Sequence, residues 1–272
     1  MPPISDPAAI RTILRSDPVW CIYALGDLAP PFFERTVWFS SDDTPPALVM
    51  LYCGFDPPVL FAVGKAEQVR PLLAEIGHPG GLSVHVRGDV LGLLGERYEI
   101  DKTDLMWRMR LPSGSFRPTA TEHTVRLARA DVPALERLYA DGAAAGESPH
   151  FFLPSMVEEG VFFGIYEEGE LIAAAGTHLV VQAEGVAAVG NIYSRRDRRS
   201  RGLAARTTSA VVNELLRRSL ATVALNVNPR NVPAIRVYER LGFVRYCAYH
   251  EGLAPRQWLA AREKPSEGGI TS

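Results

Sequence analysis

Arg195-Arg196-Asp197-Arg198-Arg199-Ser200-Arg201-Gly202-Leu203-Ala204 runs from the end of an apolar strand pattern straight into an amphipathic helix pattern. Five arginines fall within seven residues. A helix start is a natural anion site, because its first backbone N–H groups are unpaired and the helix dipole is positive there. Gly202 lets the backbone take positive φ or approach a ligand closely. Ala204 is small, so an oxygen-rich group has room against the first turn. Consecutive amides would cradle a pyrophosphate, and flanking arginines would add charge-assisted contacts. The loop alone is equally compatible with a solvated helix start carrying surface arginines.

Two further motifs follow downstream. In Leu225-Asn226-Val227-Asn228-Pro229-Arg230-Asn231-Val232-Pro233-Ala234, a strand ends near Asn228. Asn231 is then a natural N-cap, with Pro233 tolerated in the first turn. Either amide can bond a ligand or organise the turn, and capping is the ordinary role of Asn231. In the next helix Ala234, Val237, Tyr238 and Leu241 recur at i, i+3, i+4 and i+7, which predicts a shared buried face. Gly242 ends that helix. A tyrosine on such a face is ordinarily a core residue with a partnered hydroxyl. At the edge of a cleft it would be a proton donor.

The surrounding pattern is mixed α/β. Upstream, Thr124–Leu127, Phe162–Tyr166, Leu171–Val181 and Val186–Ser194 read as strands, with a tight turn at Glu167–Glu170. Val132–Tyr139 reads as a helix capped by Asp131. The helix at Leu203–Arg218 shows an apolar stripe of Val211, Val212, Leu215 and Leu216. Thr222–Asn228 is a strand with Val223, Leu225 and Val227 on one face, and Val244–Tyr249 is a final strand. Leu111–Ala120, with two prolines and a glycine, reads as a linker. Before it lie helices at Pro7–Leu14 and Ala66–Ile76, and strands at Thr36–Phe39, Ala47–Cys53, Val59–Val63 and Leu105–Leu111. Gly88–Gly95 marks a turn and helix. The expected division is therefore residues 1–118, residues 119–252 and a polar tail over 253–272.

Composition limits the setting. A chain of 272 residues that is 47% hydrophobic supports a sizeable core in one large or two ordinary domains. A formal charge of −2 argues against a general nucleic-acid binder and makes the arginine run a local feature. Cys21, Cys53 and Cys247 are far apart, show no metal-binding spacing and are odd in number, so reduced core thiols and no metal site are expected. The first residues have neither the basic nor the apolar region of a signal peptide. No apolar run is long enough to span a membrane. A soluble cytoplasmic protein is the expectation.

Taken together, the motifs resemble the GCN5-related N-acetyltransferase (GNAT) superfamily over residues 122–250. That family has an (Arg/Gln)-x-x-Gly-x-(Gly/Ala) loop opening a long helix, here Arg199-x-x-Gly202-x-Ala204. A strand follows, then an Asn-x-x-Ala-x-x-x-Tyr helix and a Gly-Phe end, here Asn231, Ala234, Tyr238 and Gly242-Phe243. The resemblance implies two tandem N-acyltransferase-like halves, each a mixed, mostly antiparallel sheet flanked by helices. The first half lacks the loop-and-tyrosine signature and resembles a degenerate copy that walls the substrate cleft.

The resemblance also assigns roles. Arg199, Arg201, Gly202, Leu203 and Ala204 would hold the pyrophosphate of acetyl- or acyl-coenzyme A, with Asn228 and Asn231 nearby. The strand Asn191-Ile192-Tyr193-Ser194 would pair with the pantetheine arm and splay from Leu225–Asn228 to make the acyl slot. Tyr238 would protonate the departing thiolate while a strand N–H stabilises the oxyanion. For the base, His178 lies beside the expected slot and titrates near neutrality when unperturbed. Its ordinary reading is a packed strand histidine. Glu147 is a second candidate, whose ordinary reading is a solvated loop acid. Many members of the family use a water relay instead.

The expected reaction is acyl transfer to a small-molecule or peptide amine. The alternatives are a non-catalytic acyl-coenzyme A sensor or scaffold and, less in keeping with the charge, a nucleic-acid or tRNA partner that uses the arginine run, for example as an aminoacyl transferase. Little sequence after Tyr249 is left for the family's last strand, so the other half, or a second subunit of a homodimer, is expected to fill that edge.

Overall fold

The computed structural model describes residues 2–77, 79–149 and 151–257. His150 and residues 258–272 of the expected tail lie outside the described residues. Eleven strands of the described residues form one continuous sheet, whose order departs from the chain order in one informative way.

The first half contains α1 (Pro7–Leu14), α2 (Ile22–Gly26), β1 (Thr36–Ser40), β2 (Leu48–Tyr52), β3 (Val59–Val63), α3 (Ala66–Glu75), β4 (Gly81–Val86), α4 (Gly88–Leu94) and β5 (Thr103–Arg110). The second contains β6 (Thr124–Arg126), α5 (Val132–Ala143), α6 (Ser155–Glu159), β7 (Phe163–Glu167), β8 (Glu170–Val181), β9 (Val186–Ser194), α7 (Leu203–Arg217), β10 (Thr222–Val227), α8 (Val232–Arg240) and β11 (Val244–Pro255). Strands β1, β2 and β3 pair antiparallel, and β3 then pairs parallel with β4 across the α3 crossover. Strands β7, β8 and β9 repeat that order, with β9 parallel to β10 across α7. Each half then adds a helix and a last strand. The two last strands are exchanged: β5 pairs with β10, and β11 pairs with β4, while β5 and β11 also pair with each other.

This exchange corrects one expectation and decides another. The last strand does not stop at Tyr249 but runs to Pro255, past the start of the expected tail. β5 of the first half occupies the edge of β10, so no second subunit is needed there. The linker is also held down. Arg117 N–H donates to the Leu241 carbonyl, and Thr119 N–H donates to Ser209 Oγ at 3.1 Å. A Cβ on Gly242 would stand 2.0 Å from the Ser115 carbonyl oxygen, and Gly242 has φ +102°. Glycine is therefore needed there both for its conformation and for the close approach of the linker.

Packing explains most of the elements. Trp20, Leu25, Trp38, Met50 and Phe61 share a cluster with Val186, Ala188 and Ala224, so α1 and α2 lie within an apolar layer common to both halves. The cluster that includes Val69, Leu72, Leu91 and Leu94 covers the other face of the first half. Val211, Val212 and Leu215 bury α7 against Val223, Leu225 and Val227. Leu216, expected on that stripe, is 40% exposed, because its position turns it off the buried arc. On α8 it is Ile235, Tyr238 and Leu241 that are fully buried, with Ala234 and Val237 half-buried. Asp131 precedes α5 but does not cap it. Its carboxylate turns back to accept from Ala128 N–H at 2.8 Å and from the Tyr166 hydroxyl at 2.7 Å. All three cysteines are free, and Cys53 is exposed rather than in the core.

Candidate functional site

The site is built where β9 leaves its neighbours. Its parallel ladder with β10 ends at the pair Val189 and Leu225. Beyond that point Gly190–Ser194 and Asn226–Asn228 diverge, leaving a slot between two strands with unspent backbone groups. A bulge adds to this. The β8 register steps from Ala174 opposite Tyr193 to Gly176 opposite Gly190, so Asn191 and Ile192 have no counterpart on β8. Asn191 takes φ +51°, unusual for a non-glycine residue, and the Tyr139 hydroxyl donates to its carbonyl at 2.9 Å. Among the described residues the buried Asn191 Oδ1 and Ser194 Oγ have no hydrogen-bond partner. Tyr193, between them, is buried and donates its hydroxyl to Asp141.

The slot leads to the arginine loop. Gly202 is the residue before the first turn of α7, with φ +73°, and no side chain caps the helix. A Cβ placed on it would meet nothing within 4 Å. The first-turn amides of Leu203 and Ala204 are thus left to whatever lies above Gly202. No acidic residue occupies that turn.

The arginines themselves are not free charges. Arg198 and Arg201 both donate to Glu167, at 2.7 and 2.8 Å, which holds that carboxyl down to about 2. Arg195 pairs with Asp197 at 2.7 Å and with Glu170. Arg199 donates to Glu147 at 2.6 Å, lies 5.7 Å from the Tyr193 ring centroid, and has Arg196 as its neighbour on Glu147. Five guanidiniums therefore face four carboxylates. The groups left open at this helix start are therefore backbone amides rather than unpaired side-chain charges.

The two asparagines organise the opposite rim. Asn228 Oδ1 accepts from Arg230 N–H at 2.9 Å, and Asn231 Oδ1 accepts from Ala234 N–H at 3.2 Å, capping α8. Tyr238 lies about two turns further, packed edge-on against Phe243 with centroids 6.3 Å apart. Burial pushes its phenol far above the ordinary range, so the hydroxyl keeps its proton at any working pH.

His178 lies at the apex of the slot, at the end of a chain of hydrogen bonds. Arg108, fully buried on β5, has only donors, and its Nε donates to Asn226 Oδ1 at 3.0 Å. Asn226 Nδ2 then donates to the Tyr23 hydroxyl at 3.2 Å. Tyr23 Oη is 3.0 Å from His178 Nδ1, and it donates to that nitrogen in the tautomer that carries its hydrogen on Nε2. Nε2 is the other ring nitrogen. That atom lies over Gly190, where an added Cβ would come within 2.4 Å of it.

Burial pushes the His178 imidazole down to about 4, with the Asn191 side chain opposing the shift. The folded value lies below the unfolded one, so between pH 6.5 and 4 the unfolded chain binds more protons. Stability contributed by the neutral imidazole is present above that window and is lost on acidification, by about 3 kcal/mol at most. An NMR titration should find the His178 midpoint near 4. A midpoint near the ordinary histidine value would contradict the burial and the hydrogen-bond chain.

Tyr23, Asn226 and Arg108 carry no spacing signal, because they come from three separate elements. Asn191 follows Gly190 inside a strand pattern, a pairing that marks bulges. Among the described residues no helix is long and apolar enough to cross a membrane, and no group of three or more potential metal ligands is found.

Residues 132–243 match the acetyltransferase (GNAT) family. No curated protein matches the chain. Among solved structures, a Drosophila protein is 14% identical with TM-score 0.66, and covers 93% of this chain and 97% of its own. A GCN5-related N-acetyltransferase from Sphaerobacter thermophilus is 16% identical with TM-score 0.57, covering 93% of each chain. A GCN5-related N-acetyltransferase from Kribbella flavida is 18% identical with TM-score 0.53, covering 77% of this chain and 86% of its own. At these identities the likeness is one of fold.

Proposed function

We propose that this chain, whose residues 132–243 match the acetyltransferase (GNAT) family, transfers an acyl group, acetyl in the simplest case, from acyl-coenzyme A to an amine. The observation that carries this reading is the uncapped start of α7 under Gly202, continuous with the unpaired backbone of β9. Both features fit a long ligand with a pyrophosphate at one end and an amide-rich arm.

Acyl-coenzyme A, when bound, supplies an activated thioester. The amides of Leu203 and Ala204 hold its pyrophosphate, with Arg199 and Arg201 alongside. The Gly190–Ser194 backbone, including Ile192 and Tyr193, pairs with the arm. Asn228 and Asn231 shape the facing rim. A backbone N–H freed by the bulge at Asn191 and Ile192 stabilises charge developing on the acyl oxygen.

Tyr238 gives its proton to the departing sulfur as the thioester C–S bond breaks and the amide C–N bond forms. The amine sheds its protons to water and, through water, back to Tyr238. His178, in the tautomer that carries its hydrogen on Nε2, serves this site as a donor that orients the acceptor. Glu147 is an unsuited base, since its hydrogen bond to Arg199 holds the carboxyl below the usual range. The first half repeats the strand order without an equivalent loop, which supports its reading as a degenerate copy that walls the cleft and binds no coenzyme.

The test is release of free thiol from acetyl-coenzyme A on addition of primary amines. Thiol appearing in step with acylated amine supports the proposal. Coenzyme binding with no thiol release from any amine would favour the sensor.

A further inference from the structure

The fork between β9 and β10 is crossed by side chains drawn from both halves. Gly190 and Asn226 are the first residues beyond the last pair of the ladder, Val189 with Leu225. The His178 ring packs on Gly190 so closely that an added Cβ would stand 2.4–2.6 Å from three of its ring atoms. Tyr23 Oη is 3.0 Å from His178 Nδ1, and Asn226 Nδ2 donates to the same hydroxyl at 3.2 Å. Side chains from β8, α2 and β10 thus form one bridge from Gly190 on one prong of the fork to Asn226 on the other.

The bridge is braced by its neighbours. The Arg108 guanidinium stands 5.2 Å from the Tyr23 ring centroid, and His85 meets that ring edge-on at 5.7 Å. α2 itself is seated on β8, where a Cβ on Gly26 would meet Leu179 and Val181 at 3.6 Å. Earlier in the chain, Arg11 and Arg15 on α1 donate to Glu184, in the turn between β8 and β9, at 2.7 and 2.9 Å. The Glu184 side chain is 5% exposed, so salt screens this clamp little. Tyr23 is therefore held over the fork by contacts that the first half makes with the second.

The bridge also lies on the side of the sheet to which an acyl chain would point. On β10, Leu225 and Val227 share a cluster with α7 and Tyr238, whereas Ala224 packs in the α1–α2 layer and Asn226 bonds to Tyr23. A sulfur beside Tyr238 sends its acyl chain through the fork toward α2, where the bridge meets it. An open slot would reward each further methylene with tighter binding. A closed one admits a longer chain only by displacing packed side chains.

We propose that the His178–Tyr23–Asn226 bridge sets donor specificity, admitting short acyl groups such as acetyl and excluding chains of hexanoyl length. Tyr23 is the specificity-determining residue, and its ring, supplied by the first half to the slot of the second, is the barrier. This rests on the acyl-transfer reading.

Calorimetric titration with acetyl- and hexanoyl-coenzyme A tests the proposal, with Tm checked for each protein. The unmodified chain should bind hexanoyl-coenzyme A about tenfold or more weakly than acetyl-coenzyme A, the cost of overfilling a packed site. Tyr23→Ala opens the bridge at its centre and should shift the ratio of the two affinities toward hexanoyl-coenzyme A by about tenfold or more. Tyr23→Val keeps more of the packing and should shift the ratio in the same direction, so it stands in for alanine if that variant does not fold. Tyr23→Phe loses the hydroxyl and keeps the ring, so its ratio should stay within about twofold of that of the unmodified chain.

Equal or tighter binding of hexanoyl-coenzyme A by the unmodified chain would overturn the proposal and leave acyl transfer standing. So would a ratio that the alanine and valine variants leave unchanged, or one that Tyr23→Phe shifts as far as Tyr23→Ala, because the ring would then not be the barrier. If the unmodified chain binds neither thioester, the acyl-transfer reading fails and this proposal fails with it.

Discussion

Replacing Arg108 with alanine is expected to lower the stability of the folded chain by roughly 4 kcal/mol. The side chain is fully buried on β5, the strand that joins the halves. Beyond Asn226, it donates to the Val19 carbonyl at 3.3 Å and to the Trp20 carbonyl at 2.5 Å. Its Nη2 lies 2.6 Å from His85 Nε2. Its guanidinium also stands within about 5 Å of the ring centroids of Trp20, Tyr23 and Tyr249.

Alanine would leave several buried acceptors unpaired and open a cavity among three aromatic rings. Each buried unsatisfied group costs about 1–3 kcal/mol, and the lost packing adds to that. Lysine keeps the charge but not the planar fork, so Arg108→Lys should fall between. Thermal unfolding reads the effect. A drop in Tm of roughly 10 °C is expected for the alanine variant. A Tm equal to that of the unmodified chain would show that the network is not what joins the halves.

Tyr238→Phe is expected to lower kcat about a hundredfold while the affinity for acetyl-coenzyme A stays within twofold. The substitution removes one oxygen and leaves the edge-on contact with Phe243 intact. Because burial holds the phenol protonated, the native group is always ready to donate. Without it the thiolate must leave unprotonated or draw a proton from water. Single-turnover measurements at saturating coenzyme separate this step from binding. An unchanged kcat would remove Tyr238 from the chemistry and return it to the core.

How much of this was legible in the sequence follows from the range over which each signal acts. Gly202, Ala204, Asn231 and Tyr238 stand at fixed local spacings, and helix starts and faces are local properties. The spacing was therefore enough to place the arginine loop at the start of α7 and Tyr238 on the buried face of α8. β4 was readable and overlooked: Leu82, Val84 and Val86 alternate with half-buried residues.

The strand exchange left no local trace, because pairing partners are chosen across more than a hundred residues. The same holds for the chain from Arg108 to His178, assembled from β5, β10, α2 and β8. The α2 helix is five residues long, too short for a helical period to show in its sequence. Charge counting misled in one respect, since most of the arginine loop's charge is offset by Asp197 within it and by acids from β7, β8 and the loop after α5.

The central claim is that the start of α7 beneath Gly202 holds the coenzyme. Isothermal titration of acetyl-coenzyme A into the unmodified chain and into Gly202→Val tests it most directly, with Tm checked for both proteins. Gly202 has open space around it, so a valine side chain would meet the ligand before it meets the protein, and it would be strained at φ +73°. The account predicts saturable one-to-one binding for the unmodified chain and affinity weakened at least tenfold for Gly202→Val. Equal affinity in the two proteins would contradict it.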